Sequence, residues 1–104
     1  MARQTPYLIT PAIKAAAAKQ GVVVRLSTTT GKKLDAIDPK TGSKIRAFGA
    51  LGYGDYHVFL RTKGWVYAEA KRKAYWSRHA RDARNKYARD GRLSAGWLAA
   101  HILW

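Results

Sequence analysis

Six basic side chains, Lys71, Arg72, Arg78, Arg81, Lys86 and Arg89, crowd into one stretch together with Tyr75, Trp76 and Tyr87. Arginine and lysine neutralise phosphates and exposed aromatic rings stack on bases, so this mixture of residue types suits a polyanion. Between Arg61 and Arg92 eleven basic residues stand against three acidic ones, an excess of eight and over half of the formal net charge of +14. Charge of this kind favours contact with a phosphate backbone over readout of base edges.

The other chemistry-bearing residues are less organised. His57, His79 and His101 recur at a spacing of 22, but Asp55-Tyr56-His57, Arg78-His79-Ala80 and Ala100-His101-Ile102 share no flank. A zinc site normally needs at least three convergent protein ligands, so no metal is expected. The six acids, Asp35, Asp38, Asp55, Glu69, Asp82 and Asp90, occur singly, which leaves no pair for general acid-base work. With no cysteine in the chain, disulfides, thiol catalysis and thiolate metal sites are excluded. Gly49, Gly52 and Gly54 resemble a phosphate-cradling loop only superficially, because no Gly-Lys-Ser/Thr follows them. A tight structural loop packed by Tyr53 and Tyr56 is expected there instead. Neither an enzyme nor a bound cofactor is expected.

The residues that could bind a polyanion must be carried on a folded frame. A hydrophobic fraction of 47% and an aromatic fraction of 12% are too high for a disordered polycation. At 104 residues one domain with a modest core is the limit. Thr10-Pro11 supplies a helix N-cap and a first-turn proline, and Ala12 to Gln20 then reads as a short alanine-rich helix ending at Gly21. The organisation expected is an N-terminal arm over 1–21 and a single small domain over 22–104. Val22 to Thr30 is β-branched, Asp38-Pro39-Lys40-Thr41-Gly42 has turn composition, and Lys44 to Phe48 alternates polar and apolar. A small antiparallel sheet of two or three strands is expected between residues 21 and 50.

Trp65 to Asp90 contains no proline and has glycine only at its flanks, which predicts a long helix of roughly 39 Å. On a helical wheel Trp65, Trp76, Ala80, Ala83 and Tyr87 share a narrow arc, with Lys71, Arg78 and Arg89 nearly opposite and Arg81 and Lys86 flanking. Ser94 is a good N-cap for a short C-terminal helix, Ala95 to Trp104, that is apolar nearly all round. Such a segment must be buried, either on its own domain or on another chain, and Trp97, Leu98, Ile102, Leu103 and Trp104 are the candidates for docking to a partner. The fold class is therefore α+β: a small antiparallel sheet, a long basic amphipathic helix and a short apolar helix. The opening residues lack a leader-like apolar stretch and no run reaches the ~18 to 20 apolar residues of a membrane span, so a soluble or peripheral protein is expected.

The succession Gly42 to Gly49, Gly52-Tyr53-Gly54-Asp55-Tyr56, Arg72 to His79, Ser94-Ala95-Gly96-Trp97 and Ile102-Leu103-Trp104 resembles a family of small basic proteins encoded by nucleocytoplasmic large DNA viruses. The resemblance covers residues 42–104 and rests on the order of these segments. It implies a viral gene product located in the virion, and in the host cell cytoplasm during assembly. Two roles fit. One is a non-enzymatic structural component, such as a minor capsid protein held by neighbouring capsid or other virion proteins. The other is a genome-packaging protein contacting nucleic-acid phosphates without sequence preference. An inner membrane surface is a further possible partner, without any transmembrane segment.

Overall fold

The computed structural model describes residues 7–104. Thr10 caps α1 (Pro11–Lys19), its Oγ1 accepting from the Ile13 amide at 3.2 Å. Three strands follow: β1 (Val23–Leu26), β2 (Lys32–Ile37) and β3 (Lys44–Ala50). They form an antiparallel meander in the order β1-β2-β3, with Val24 opposite Ala36 and Leu34 opposite Phe48. The turn at residues 38–42 closes β2 onto β3, the Gly42 amide donating to the Asp38 carbonyl at 2.8 Å.

Val24, Leu34, Ala36 and Phe48 present one face of the sheet to the core, where Ile13 and Ala17 of α1 meet Leu98, Ile102 and Leu103 of the C-terminal helix. That helix begins as α5 (Ala95–Leu98), capped by Ser94 Oγ, and continues as a wider π-helical turn over Ala99–Leu103. Within the N-terminal arm expected over 1–21, helix α1 supplies two buried residues, Ile13 and Ala17, to the core shared with the sheet. A helix this short is marginal alone and gains its stability from packing.

β2 is buried on both faces. On the side away from the core, Asp35 is fully buried and accepts from Ser27 Oγ at 2.6 Å and the Thr28 amide at 3.3 Å, with Lys44 Nζ at 3.3 Å. Burial by itself would raise the Asp35 pKa, but these hydrogen bonds and the Lys44 charge outweigh it and hold the carboxyl below its ordinary value. A depressed folded pKa stabilises the fold above the unfolded pKa and is lost as pH falls through the folded one. Acid unfolding is accordingly expected to show a loss below about pH 4 that is absent in Asp35→Ala. That variant should itself be about 2 kcal/mol less stable at neutral pH, measured by denaturant titration.

The remaining helices are α2 (Tyr56–Lys63), α3 (Trp65–Arg78) and α4 (Ala80–Arg84). The sequence gives α2 no strong periodic signal, yet Asp55 caps it by accepting from the Val58 amide at 3.1 Å. The glycine-rich stretch before it is structural: a Cβ on Gly54 would lie 2.3 Å from Phe59 Cζ. Tyr56 contributes a hydrogen bond to Glu69 at 2.9 Å, whereas Tyr53 is 75% exposed and packs nothing down.

The long helix expected over Trp65–Asp90 stops at Arg78. His79 leaves helical geometry, stacks on Tyr75 at 4.3 Å and takes Asp82 as its ring partner at 3.1 Å. The chain bends because α4 is held against the C-terminal helix. Ala83 is buried, its carbonyl lies 3.1 Å from His101 Nε2, and Gly96 sits so close that a Cβ would be 2.8 Å from Asp82 Cβ. After Arg84 a small hairpin forms, with Tyr87 bridged to Leu93 and Ser94 N donating to the Lys86 carbonyl. The Asp90-Gly91 pair at its tip is a common hairpin turn signal.

Candidate polyanion-binding site

The frame distributes the six candidate cations unevenly. Lys71 and Arg78, seven residues apart on α3, flank Tyr75 on one face of the helix and, with it, line a cleft of about 570 Å³. Lys32, from the start of β2, also lines it, together with Asp82 and the apolar Ala99, Leu103 and Trp104. Arg81 lies on α4, while Lys86 and Arg89 lie on the hairpin that follows it. All three are exposed, as are Lys71 and Arg78.

Arg72 differs from the other five in having hydrogen-bond partners among the described residues, although 43% of its side chain is exposed. Its Nε donates to the Trp104 carbonyl at 2.7 Å, its Nη1 reaches Glu69 at 3.4 Å and its guanidinium lies 4.4 Å from the Tyr56 ring centroid. A guanidinium committed to a carbonyl, a carboxylate and a ring is a clamp within the fold, and the wheel could not reveal it because the Trp104 carbonyl is remote in sequence. Arg84, outside the six candidates, is exposed on α4 and extends the cationic run from Arg81.

The inward arc read from the sequence divides in a similar way. Ala83 is buried and Trp76 partly so, its ring meeting His101 edge-on at 5.4 Å. Trp65 and Tyr87 are 67% and 61% exposed. Helix α4 ends at Arg84, so Tyr87 stands on the hairpin that follows rather than on a helix face, and Trp65 is the first residue of α3.

The segment proposed to dock on a partner is consumed by the protein's own core. Leu98, Ile102 and Leu103 are essentially inaccessible and Trp97 is 7% exposed. Trp104 is partly buried: it stacks on Tyr75 at 4.5 Å with an interplanar angle of 8° and meets Phe59 at 6.0 Å. An all-round apolar helix requires burial without specifying against what, and here the sheet and α1 supply the surface. Trp97, Leu98, Ile102 and Leu103 are therefore taken up by the core, and of the five only Trp104 keeps part of its surface open, at the cleft.

The carboxylates are likewise engaged. Asp55 is buried and accepts from Lys33 Nζ at 2.8 Å and the Tyr7 hydroxyl at 2.5 Å. Burial first, and then the Asp55 hydrogen bond and charge, push the Tyr7 hydroxyl well above its ordinary pKa, so it remains a donor. Asp90 holds Arg46 and Arg92, Asp82 faces His79, Glu69 faces Arg72, and Asp38 accepts from the Lys40 amide at 2.8 Å. Together with Asp35, every acid of the chain has a structural partner.

The rings of His57 and His101 face the Ile102 and Ala83 carbonyls. Among the described residues no cluster of His, Asp and Glu is arranged to hold a metal ion.

No family, no curated protein and no solved structure matches this chain. No helix among the described residues is long and apolar enough to cross a membrane. What this geometry offers a partner is a cationic tract, from Lys71 and Arg78 through Arg81 and Arg84 to Lys86 and Arg89, against which the chain sets few unengaged negative charges.

Proposed function

We propose that the protein is a non-enzymatic, nucleic-acid-binding component of a large DNA virus particle, holding phosphates on Lys71, Arg78, Arg81, Arg84, Lys86 and Arg89. One observation carries this reading: the acids are satisfied internally while these six cations are exposed. A surface on which exposed cations outnumber carboxylates, with Asp82 and Asp90 already facing His79 and Arg46, attracts the phosphate backbone without regard to sequence. Lys86, whose Nζ lies 5.2 Å over the Trp97 ring and 5.6 Å over that of Tyr87, is positioned by aromatic faces while its charge stays in solvent.

The virion setting follows from the resemblance of residues 42–104 to the viral family. A genome-packaging role is favoured over capsid docking through the C-terminal segment, because that segment's apolar side chains are occupied in the core. Protein contacts within the particle would then use other surfaces.

The test is equilibrium binding of the purified protein to duplex and single-stranded DNA across a salt series. Affinity should be sequence-independent and fall linearly with log salt, with a slope of about −5 on duplex for six phosphate contacts. Absence of binding to either form at low salt overturns the proposal.

A further inference from the structure

The corner between α2 and α3 has no role in the cationic tract and is the most exposed part of the helical layer. Every residue from Leu60 to Tyr67 is exposed. Four of them are large and apolar or aromatic: Leu60 at 43%, Trp65 at 67%, Val66 at 69% and Tyr67 at 40%. Arg61 and Lys63 lie among them and no acid falls between residues 60 and 67. Gly64 turns the corner with open space around it.

A stretch in which successive side chains are all exposed is a convex projection. A rigid protein groove would have to wrap it from several sides, whereas a lipid headgroup layer yields around it. Tryptophan and tyrosine favour the boundary between headgroups and acyl chains, and cations beside them are drawn to anionic lipids. The side chains at the corner have the composition of such an anchor.

We infer that the α2–α3 corner is a peripheral membrane anchor that inserts Trp65 and Val66 into an anionic phospholipid surface, with Arg61 and Lys63 on the headgroups. The corner is at the opposite end of α3 from Arg78, about 20 Å away along the helix axis. A bilayer at one end leaves the cationic tract around α4 and the hairpin open, so a membrane and a polyanion can be held at once. This arrangement differs from a basic helix lying flat on a membrane, since insertion rests on the corner.

The experiment is flotation of the full chain with phosphatidylcholine vesicles, with and without phosphatidylserine, alongside DNA binding and sedimentation for oligomeric state. The wild-type protein should float with the anionic vesicles and show a blue shift of tryptophan fluorescence. Trp65→Ala combined with Val66→Ala, at exposed positions that leave the core intact, should lower the vesicle-bound fraction at least about tenfold while DNA affinity stays unchanged. Arg81→Glu combined with Arg89→Glu should have the smaller effect on vesicles and the larger one on DNA.

Four results overturn the inference. These are no flotation of the wild-type protein, undiminished flotation of the Trp65 and Val66 variant, a matching loss of DNA affinity in that variant, or a wild-type oligomer that the variant dissociates. The third would make the corner a base-stacking platform, and the fourth would assign it to a second copy of the chain. None of the four requires the DNA-binding reading to fail.

Discussion

Asp55→Ala is expected to destabilise the domain by about 3 to 5 kcal/mol, because it strands a charge the fold has taken out of water. The side chain of Lys33 is 4% exposed and that of Asp55 1%, and their 2.8 Å contact is the ammonium's direct counter-charge. The same carboxylate caps α2 through the Val58 amide and accepts from the Tyr7 hydroxyl, so one substitution removes an ion pair, a helix cap and a buried acceptor. A cap alone is worth about 1 kcal/mol, which makes the uncompensated lysine the dominant loss. Small domains have only about 5 to 15 kcal/mol in total, so the variant should unfold at a much lower denaturant midpoint and be partly unfolded on warming.

The attribution can be separated from general damage. Lys33→Met added to Asp55→Ala removes the stranded charge and should recover more than half of the loss. A single variant within about 1 kcal/mol of wild type would show that the ammonium finds water instead.

Features carried by adjacent residues were legible in the sequence. Thr10-Pro11 marked the start of α1, the Asp38 to Gly42 turn led into β3 and Ser94 marked the last helix. The β-branched run located β1, which ends at Leu26 rather than Thr30, while the central strand β2 over Lys32–Ile37 had no local signal that set it apart. What escaped detection depended on residues far apart in the chain. Lys33 and Asp55 are 22 positions apart, and neither looks unusual alone. Arg72 reads as one more exposed cation until the Trp104 carbonyl, 32 positions on, is brought against it. The break at His79 has no glycine or proline to announce it. It results from the docking of Ala83 and Asp82 on the C-terminal helix, a tertiary demand that overrides good local helix propensity. The C-terminal segment was read correctly as a thing to be buried, but periodicity has no power to choose between a core and a partner. The hairpin after α4 was detectable, since Asp90-Gly91 is a turn pair, and it was masked by the helical composition around it.

Reversing four charges, Arg78, Arg81, Lys86 and Arg89 to Glu, should reduce DNA affinity more than any other surface change. Each phosphate contact contributes about 0.9 to the slope of log affinity against log salt on duplex, so four lost contacts should flatten it by about 3 to 4. Near physiological salt this corresponds to a loss of at least about a thousandfold, with the added like-charge repulsion increasing it. The fold should survive, because all four side chains are exposed and none makes an internal ion pair among the described residues. Arg72→Glu is the informative contrast. It would disturb the clamp on Trp104 and lower thermal stability, while changing the salt slope at most slightly. If Arg72→Glu flattened the slope as strongly per residue as the fourfold variant, the cationic tract would have to include the Trp104 side of α3. If the fourfold variant kept the wild-type slope, phosphate contact would lie elsewhere on the molecule. Lys71 and Lys32, which line the cleft and are separate from the substituted four, are the positions that should account for the residual binding.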